Sequence, residues 1–283
     1  VTVLDPQVWP SGKGEILAGL NPEVISRYRE RYGGNWSEPC LRDFQEQIKE
    51  YEKIRRELDQ LLDRLKKEVG LSESEAISPE QMTELEQKLP EDLRQKEKEL
   101  RQKAYAYIGR VSVEVGDVVT FPALQVHSLQ HGIRVIEFQT PHYERLIVMF
   151  AQKVLTQNHW DTDRAMDLIN TEPYRLPEPQ LLTEEDGYLE ERIVDFPDFS
   201  SERIRMDENV SRKFQCEGRY HLIICVKGKL RLESQSRSIF ELLPEEAVFL
   251  PASTSFYRVT NSGADSMIFL RAVPVKAHSA KLD

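Results

Sequence analysis

Apolar and polar positions follow two different rhythms along this chain. Between about Glu38 and Lys103 the rhythm is helical. In FQEQIKEYEKIRRELDQLLDRLKKEVG the residues Phe44, Ile48, Tyr51, Ile54, Leu58, Leu61, Leu62 and Leu65 fall three and four apart, one apolar stripe with a charged opposite face. Gly70 follows the last periodic residue and marks the end of that helix. Ser78-Pro79-Glu80-Gln81 reads as an N-cap with Pro at the first helical position, opening a short helix to about Leu89. A further helix is expected from Glu91 to Tyr107, stopped by Gly109. The stripe is short for a free coiled coil and Pro79 and Pro90 interrupt it, so the block predicts a helical hairpin packed on a sheet.

Elsewhere the rhythm is that of strands. Val1–Leu4 and Glu15–Ala18 read as a hairpin across Pro10-Ser11-Gly12, and Asn21-Pro22-Glu23 opens a short helix to about Tyr32. Strand patterns return at Val111–Val115, Val118–Phe121, Ser128–Leu129 and Ile133–Gln139, with a β-leaning apolar run at Arg145–Leu155 and a short helix at Asp161–Ile169. Asn170 to Asp186 carries Pro173, Pro177 and Pro179 among acids and reads as a linker or extended crossover. Beyond it come about eight short runs split by turns: Arg192–Phe196, Ser201–Asp207, Tyr220–Lys227, Lys229–Glu233, Ser238–Leu242, Ala247–Pro251, Ser255–Thr260 and Met267–Val273. That spacing suggests a jelly roll or sandwich. The expected plan is a first β domain over 1–170 with a helical insertion at about 38–108, a linker at 171–186, a second β domain at 187–275 and a tail at 276–283.

Composition narrows the function. The net charge is −10, which argues against the basic stripe of a nucleic-acid groove. No apolar run approaches the roughly 20 residues that span a bilayer. Cys40, Cys216 and Cys225 are too few and too scattered for a disulfide framework or a zinc ribbon. A reducing, cytoplasmic setting is therefore expected, with a small-molecule partner rather than nucleic acid or membrane, and self-association left open. The chain opens at Val1 in the middle of a strand pattern, which suggests that the natural protein begins upstream.

The chemistry concentrates in Gly116–Gln139, GDVVTFPALQVHSLQHGIRVIEFQ. Gly116, five residues, Pro122, and His127 five residues later resemble the second metal motif of the cupin superfamily. The usual Gly two residues after the Pro is Leu124 here. The continuation through Gly132 and Glu137-Phe138-Gln139 to Arg145 resembles the type I phosphomannose isomerases. VTVLDPQVWPSGKGEILAGLNPEV, the helical block, and the later YHLIICVKGKLRL and LLPEEAVFLPAS extend that likeness over nearly the whole chain. The resemblance implies a mainly β protein of two cupin-type jelly-roll barrels with a helical insertion. It also implies an aldose–ketose isomerase interconverting mannose 6-phosphate and fructose 6-phosphate through a cis-enediol at a zinc ion.

By that resemblance His127 is a metal ligand, Glu137 a carboxylate for proton transfer, Gln139 a substrate contact and Arg145 the arginine facing the enediol oxygens. Strict alternation places Val135, Glu137 and Gln139 on one face of their strand. The Gln139–Arg145 interval looks about two residues shorter than the family's, and Glu144 stands where a Tyr precedes the Arg. The family's other three ligands come from Q-x-H-P and K-x-E motifs. No Q-x-H-P occurs here, and Lys13-Gly14-Glu15 mimics K-x-E only in a hairpin position. The alternative is a non-catalytic cupin that binds a sugar or sugar phosphate. In the second β domain, Phe256 stands where a motif His would follow Pro251, and His221 stands where the first cupin motif carries a Glu. One isolated His makes no metal site, so that domain is expected to be metal-free and supporting.

Overall fold

The computed structural model describes residues 1–72, 77–140, 145–154 and 156–275. The helical block forms as its periodicity dictates. After the short strands β1 (Val3–Leu4) and β2 (Gly14–Leu20), helix α1 (Pro22–Tyr32) starts at Asn21, whose side chain accepts from the Glu23 amide. Helix α2 (Ser37–Glu68) buries Phe44, Ile48, Tyr51, Ile54, Leu58 and Leu62 along its stripe. It ends in paired bonds from Leu71 N–H to Lys66 O (2.9 Å) and Gly70 N–H to Lys67 O (3.1 Å), with Gly70 at φ +81°. Helix α3 (Pro79–Gln87) opens on a capping box between Ser78 and Gln81, and α4 (Glu91–Tyr105) packs back along α2.

These helices cover a small sheet. Strand β2 lies between β3 (Ile108–Val113) and β4 (His127–Ser128), both antiparallel to it. The hairpin expected between the first two strands does not form: β1 pairs instead with β5 (Ile133–Arg134). The reason lies in the intervening turn. Val8 and Trp9 both donate to Asp5 O and the Trp9 indole donates to His131 O, which holds the turn against the β5 end. Val118–Phe121 and residues 145–154, the described part of the run expected to 155, lie outside any ladder, although Val119 and Phe121 still pack on Ile16, Ala18 and Val113. Helix α5 (Thr162–Leu168) buries Thr162, Ala165 and Met166 against the helical core.

The second half closes on itself. Part of the span expected as a linker is β6 (Gln180–Glu185), paired with β7 (Tyr188–Asp195). Then follow β8 (Phe199–Met206), β9 (Ser211–Gln215), β10 (His221–Lys227), β11 (Leu230–Ser234), β12 (Ile239–Leu242), β13 (Ala247–Leu250), β14 (Phe256–Asn261) and β15 (Met267–Pro274). One antiparallel sheet runs β13-β10-β15-β8-β7-β6 and the facing one β12-β11-β14-β9. The last eight strands pass between the two sheets in jelly-roll order, with β11 and β12 a hairpin within one sheet and with β6 and β7 extending the edge of the other. The protein is thus mainly β, with a helix-covered first unit and a jelly-roll second unit. Ile204, Met206, Ile223, Leu230, Leu232, Val259, Met267 and Phe269 fill the core between the sheets. All three cysteines are buried and free. Among the described residues no helix is long and apolar enough to cross a membrane.

Two contacts join the units around the motif. Arg203 of β8 donates to Gly116 O (2.7 Å), and Arg134 of β5 pairs with Glu245 (2.6 Å).

Candidate functional site

The turn that carries His127 is built tightly from its neighbours. His127 pairs with Ala18 in β2, and the next β2 residue is Gly19 at φ +65°. A Cβ on Gly19 would lie 2.8 Å from Tyr174 Cβ and 2.9 Å from Gln125 Nε2, so only glycine lets these segments meet. Leu124, in the place of the motif's usual Gly, keeps the left-handed conformation at φ +67°. The His127 ring stacks on Phe121 (4.0 Å between centroids, 9° between planes), and Phe121 leans on Tyr174. His127 Nδ1 lies 2.8 Å from the Gln125 carbonyl oxygen. A carbonyl only accepts, so Nδ1 carries the proton and Nε2 keeps its lone pair. That is the arrangement a metal-ligating imidazole uses.

The other expected residues do not gather on it. His127, Glu137, Gln139 and Arg145 are all exposed. Arg145 donates to Thr156 Oγ1 (3.1 Å). Lys13-Gly14-Glu15, the K-x-E look-alike, is engaged on the surface: Glu15 pairs with Arg110 and Lys13 with Glu114. His142 and Glu144 lie outside the described residues. Among the described residues no three His, Cys, Asp or Glu side chains converge. His127 alone suits zinc, and the described residues do not close a tetrahedral set around it.

A second polar centre, which the strand reading missed, lies inside the jelly roll. Side chains on one face of a strand alternate, so His221, Ile223 and Cys225 of β10 share the inner face. So do Phe269 and Arg271 of β15, and Glu202, Ile204 and Met206 of β8. Each strand is apolar at one end of the lumen and polar at the other.

The polar ends touch. Arg271 donates to Glu190 (2.8 Å) and to Glu202 (3.3 Å), and the Tyr188 hydroxyl donates to Glu190 (2.7 Å). The Arg271 charge also acts on the Tyr257 hydroxyl. Burial works against the Arg271 charge, but Tyr257, Glu202 and Glu190 outweigh it and hold its pKa above the usual value. His221 is 2% exposed and its Nδ1 lies 2.9 Å from Tyr257 Oη. Tyr257 is fully buried, and one proton is shared between its hydroxyl and His221 Nδ1. When the hydroxyl donates it, the neutral imidazole carries its hydrogen on Nε2. Burial, and then the Arg271 and Arg219 charges, push the His221 pKa down to about 4. The ring is neutral near pH 7.

Apart from Tyr257, which sits behind His221, these side chains line an open cavity of about 470 Å³. The signal in the sequence was the polar residue ending each apolar alternation: H-x-I-x-C, E-x-I-x-M and M-x-F-x-R.

No protein-family model matches the chain, and no curated protein matches it. Solved structures do. KdgF from Halomonas sp. is 18% identical, with a TM-score of 0.31 over 34% of this chain and 87% of that one. The polyketide cyclase RemF from Streptomyces resistomycificus is 18% identical, with a TM-score of 0.31 over 36% and 80%. An RmlC-like cupin from Shewanella frigidimarina is 11% identical, with a TM-score of 0.30 over 36% and 87%. At these scores the likeness carries no argument about activity. The jelly roll rests on the strand order given above.

Proposed function

We propose that this chain acts on a phosphorylated sugar as an isomerase of the mannose-6-phosphate type. The observation that carries the reading is the His127 turn. The Gly116-x5-Pro122 spacing ends in an imidazole whose Nδ1–H is committed to Gln125 O, which leaves Nε2 as a donor atom for a divalent metal such as zinc. The turn keeps its left-handed residue even where Leu124 replaces glycine. A zinc ion, when bound, would supply polarisation of the sugar oxygens. The described residues contribute one ligand to it. What this chain would bring is a carboxylate at Glu137 to carry the proton between C1 and C2, an amide at Gln139 for a sugar hydroxyl, and the Arg145 cation for the enediol oxygens.

The test combines metal analysis with turnover of mannose 6-phosphate on the full-length protein. Expected are about one zinc per chain, loss of both metal and activity in His127→Ala, and a roughly 10²–10⁴-fold fall in kcat in Glu137→Gln. A folded, metal-free protein without turnover would sink this reading. A second reading, a sugar or sugar-phosphate binder without turnover, is favoured by the exposure of all four residues. It would show saturable mannose 6-phosphate binding with no fructose 6-phosphate formed.

A further inference from the structure

The mouth of the jelly roll has charges it does not need for its own stability. Its carboxylates are all matched. Glu190 and Glu202 share Arg271, Glu185 takes Arg212, and Glu217 takes Arg219 at 3.1 Å. Two cations remain. Arg192 reaches Glu202 only at 3.9 Å, beyond hydrogen-bond range, and Lys213 stands 3.9 Å from the Phe256 ring centroid. The lining thus holds five cations against four carboxylates, a local excess of one positive charge in a chain of net charge −10.

The polar atoms left over in this lining point the same way. Among the described residues, Arg192 Nε, Arg219 Nε and His221 Nε2 are buried without a partner. The two arginine nitrogens can only donate, and His221 Nε2 joins them when the Tyr257 hydroxyl gives its proton to Nδ1. Each buried donor left unmet is costly, so the arginine nitrogens and the imidazole beside them call for an acceptor. A metal ion offers none and would be repelled by the local charge. A neutral sugar offers hydroxyls, but nothing that answers the extra cation.

We propose that the open end of the jelly roll is a binding site for a small organic anion, whose carboxylate or phosphate oxygens accept from His221 Nε2–H and from the Arg219 and Arg192 guanidinium groups. The apolar floor of the lumen below His221 is already filled by Ile223, Cys225 and Phe269, so the ligand is shallow and its remainder faces the opening. This site is separate from the His127 turn and does not depend on the isomerase reading.

Calorimetric titration of the full-length protein near pH 7 tests it, with three probes: D-gluconate for the carboxylate source, inorganic phosphate for the phosphate source, and D-glucose as the neutral control. The expected result is one-to-one binding of gluconate, phosphate or both, with the tighter of them naming the source, and none of glucose. His221→Phe removes the Nε2 donor and should weaken binding at least tenfold. Because His221 is buried, Arg219→Gln is the companion variant; its side chain is 28% exposed, and circular dichroism should show the fold unchanged. It too should weaken binding at least tenfold. Failure of both anions to bind the folded protein would overturn the proposal. So would anion binding that both variants leave unchanged, or glucose binding as tight as that of the anions.

Discussion

The helix-covered unit and the jelly roll both bury ion pairs, and they assemble them differently. In the first unit Arg55 and Asp59 sit four apart on α2, with side chains 8% and 6% exposed. Arg55 Nε donates to Asp59 (2.9 Å), and its Nη1 caps the Ala151 carbonyl. Burial raises the Asp59 pKa, and the neighbouring Arg55 works against that rise. This pair is local, visible on one helix face, and packed in the middle of a core. In the jelly roll, Glu190, Glu202, His221, Tyr257 and Arg271 come from five strands. All but Tyr257 line a cavity, and around them Arg192 Nε, Arg219 Nε and His221 Nε2 are unanswered. The lesson concerns what each arrangement is for. A charge pair within a helix finds its counter-ion within one turn, and the polar atoms it leaves over, Asp59 Oδ2 and Arg56 Nε, are packed against protein with no open space beside them. A cluster drawn from five strands and left donor-rich around open space has room for something that the chain does not supply.

The sharpest way to break this contrast is to remove the hub. Arg271→Ala leaves Glu190 and Glu202 buried without their cation and should cost about 3–5 kcal/mol by chemical denaturation. A cost below about 1 kcal/mol would mean that water reaches the cluster freely and that the network is a surface one. Next comes pH. Unfolded, His221 titrates near its usual 6.5; folded, at about 4. Between these values the unfolded chain takes up the proton first, so its contribution is fully present above pH 6.5 and is lost as pH falls toward 4. The whole shift corresponds to about 3 kcal/mol. The difference in stability between wild type and His221→Phe, followed from pH 7 to pH 4, should shrink by that order. A constant difference would show that the ring is solvated. A smaller effect, about 1–3 kcal/mol, is expected for Tyr257→Phe, which strips His221 Nδ1 of its partner. The same change frees the imidazole tautomer, so it should also weaken anion binding.

How much of this was legible in the sequence divides along the same line. The α2 stripe, the Asn21 and Ser78 caps and the Gly70 stop were readable because each depends on residues within one or two turns. Most jelly-roll strands were readable from alternation, although β9 and β6 were not: SRKFQ has one inward apolar residue, Phe214, and β6 sits in a proline-marked stretch. Pairing was less accessible. β1 joins β5 across more than a hundred residues because of a turn held by Asp5 and Trp9, which no periodicity encodes. The His127 turn was readable as spacing, and its tautomer was not, since that depends on where Gln125 O falls. The rim cluster was hidden for a related reason. Each of its residues looks like one polar exception in an apolar strand, and only the sheet order brings the exceptions together.

The smallest predicted effect has the opposite sign and lies in the first unit. Leu124 holds φ +67° at the place where the related motif carries glycine, and its side chain is 52% exposed. A left-handed β-carbon costs roughly 1–2 kcal/mol. Little buried area offsets it, since the leucine faces solvent. Glycine there would relieve that strain while adding disorder to the unfolded chain, worth roughly 0.5–1 kcal/mol. Leu124→Gly should therefore stabilise the protein by about half a kcal/mol, read as a raised denaturation midpoint at unchanged slope. The Leu124 carbonyl accepts from the Asn170 amide (2.9 Å) in either case, so the turn keeps its tether. A loss of stability instead would mean that the leucine side chain has a contact worth more than its strain. The His127 turn would then resemble the jelly-roll rim, a place where the chain holds an unfavourable arrangement for what it meets there.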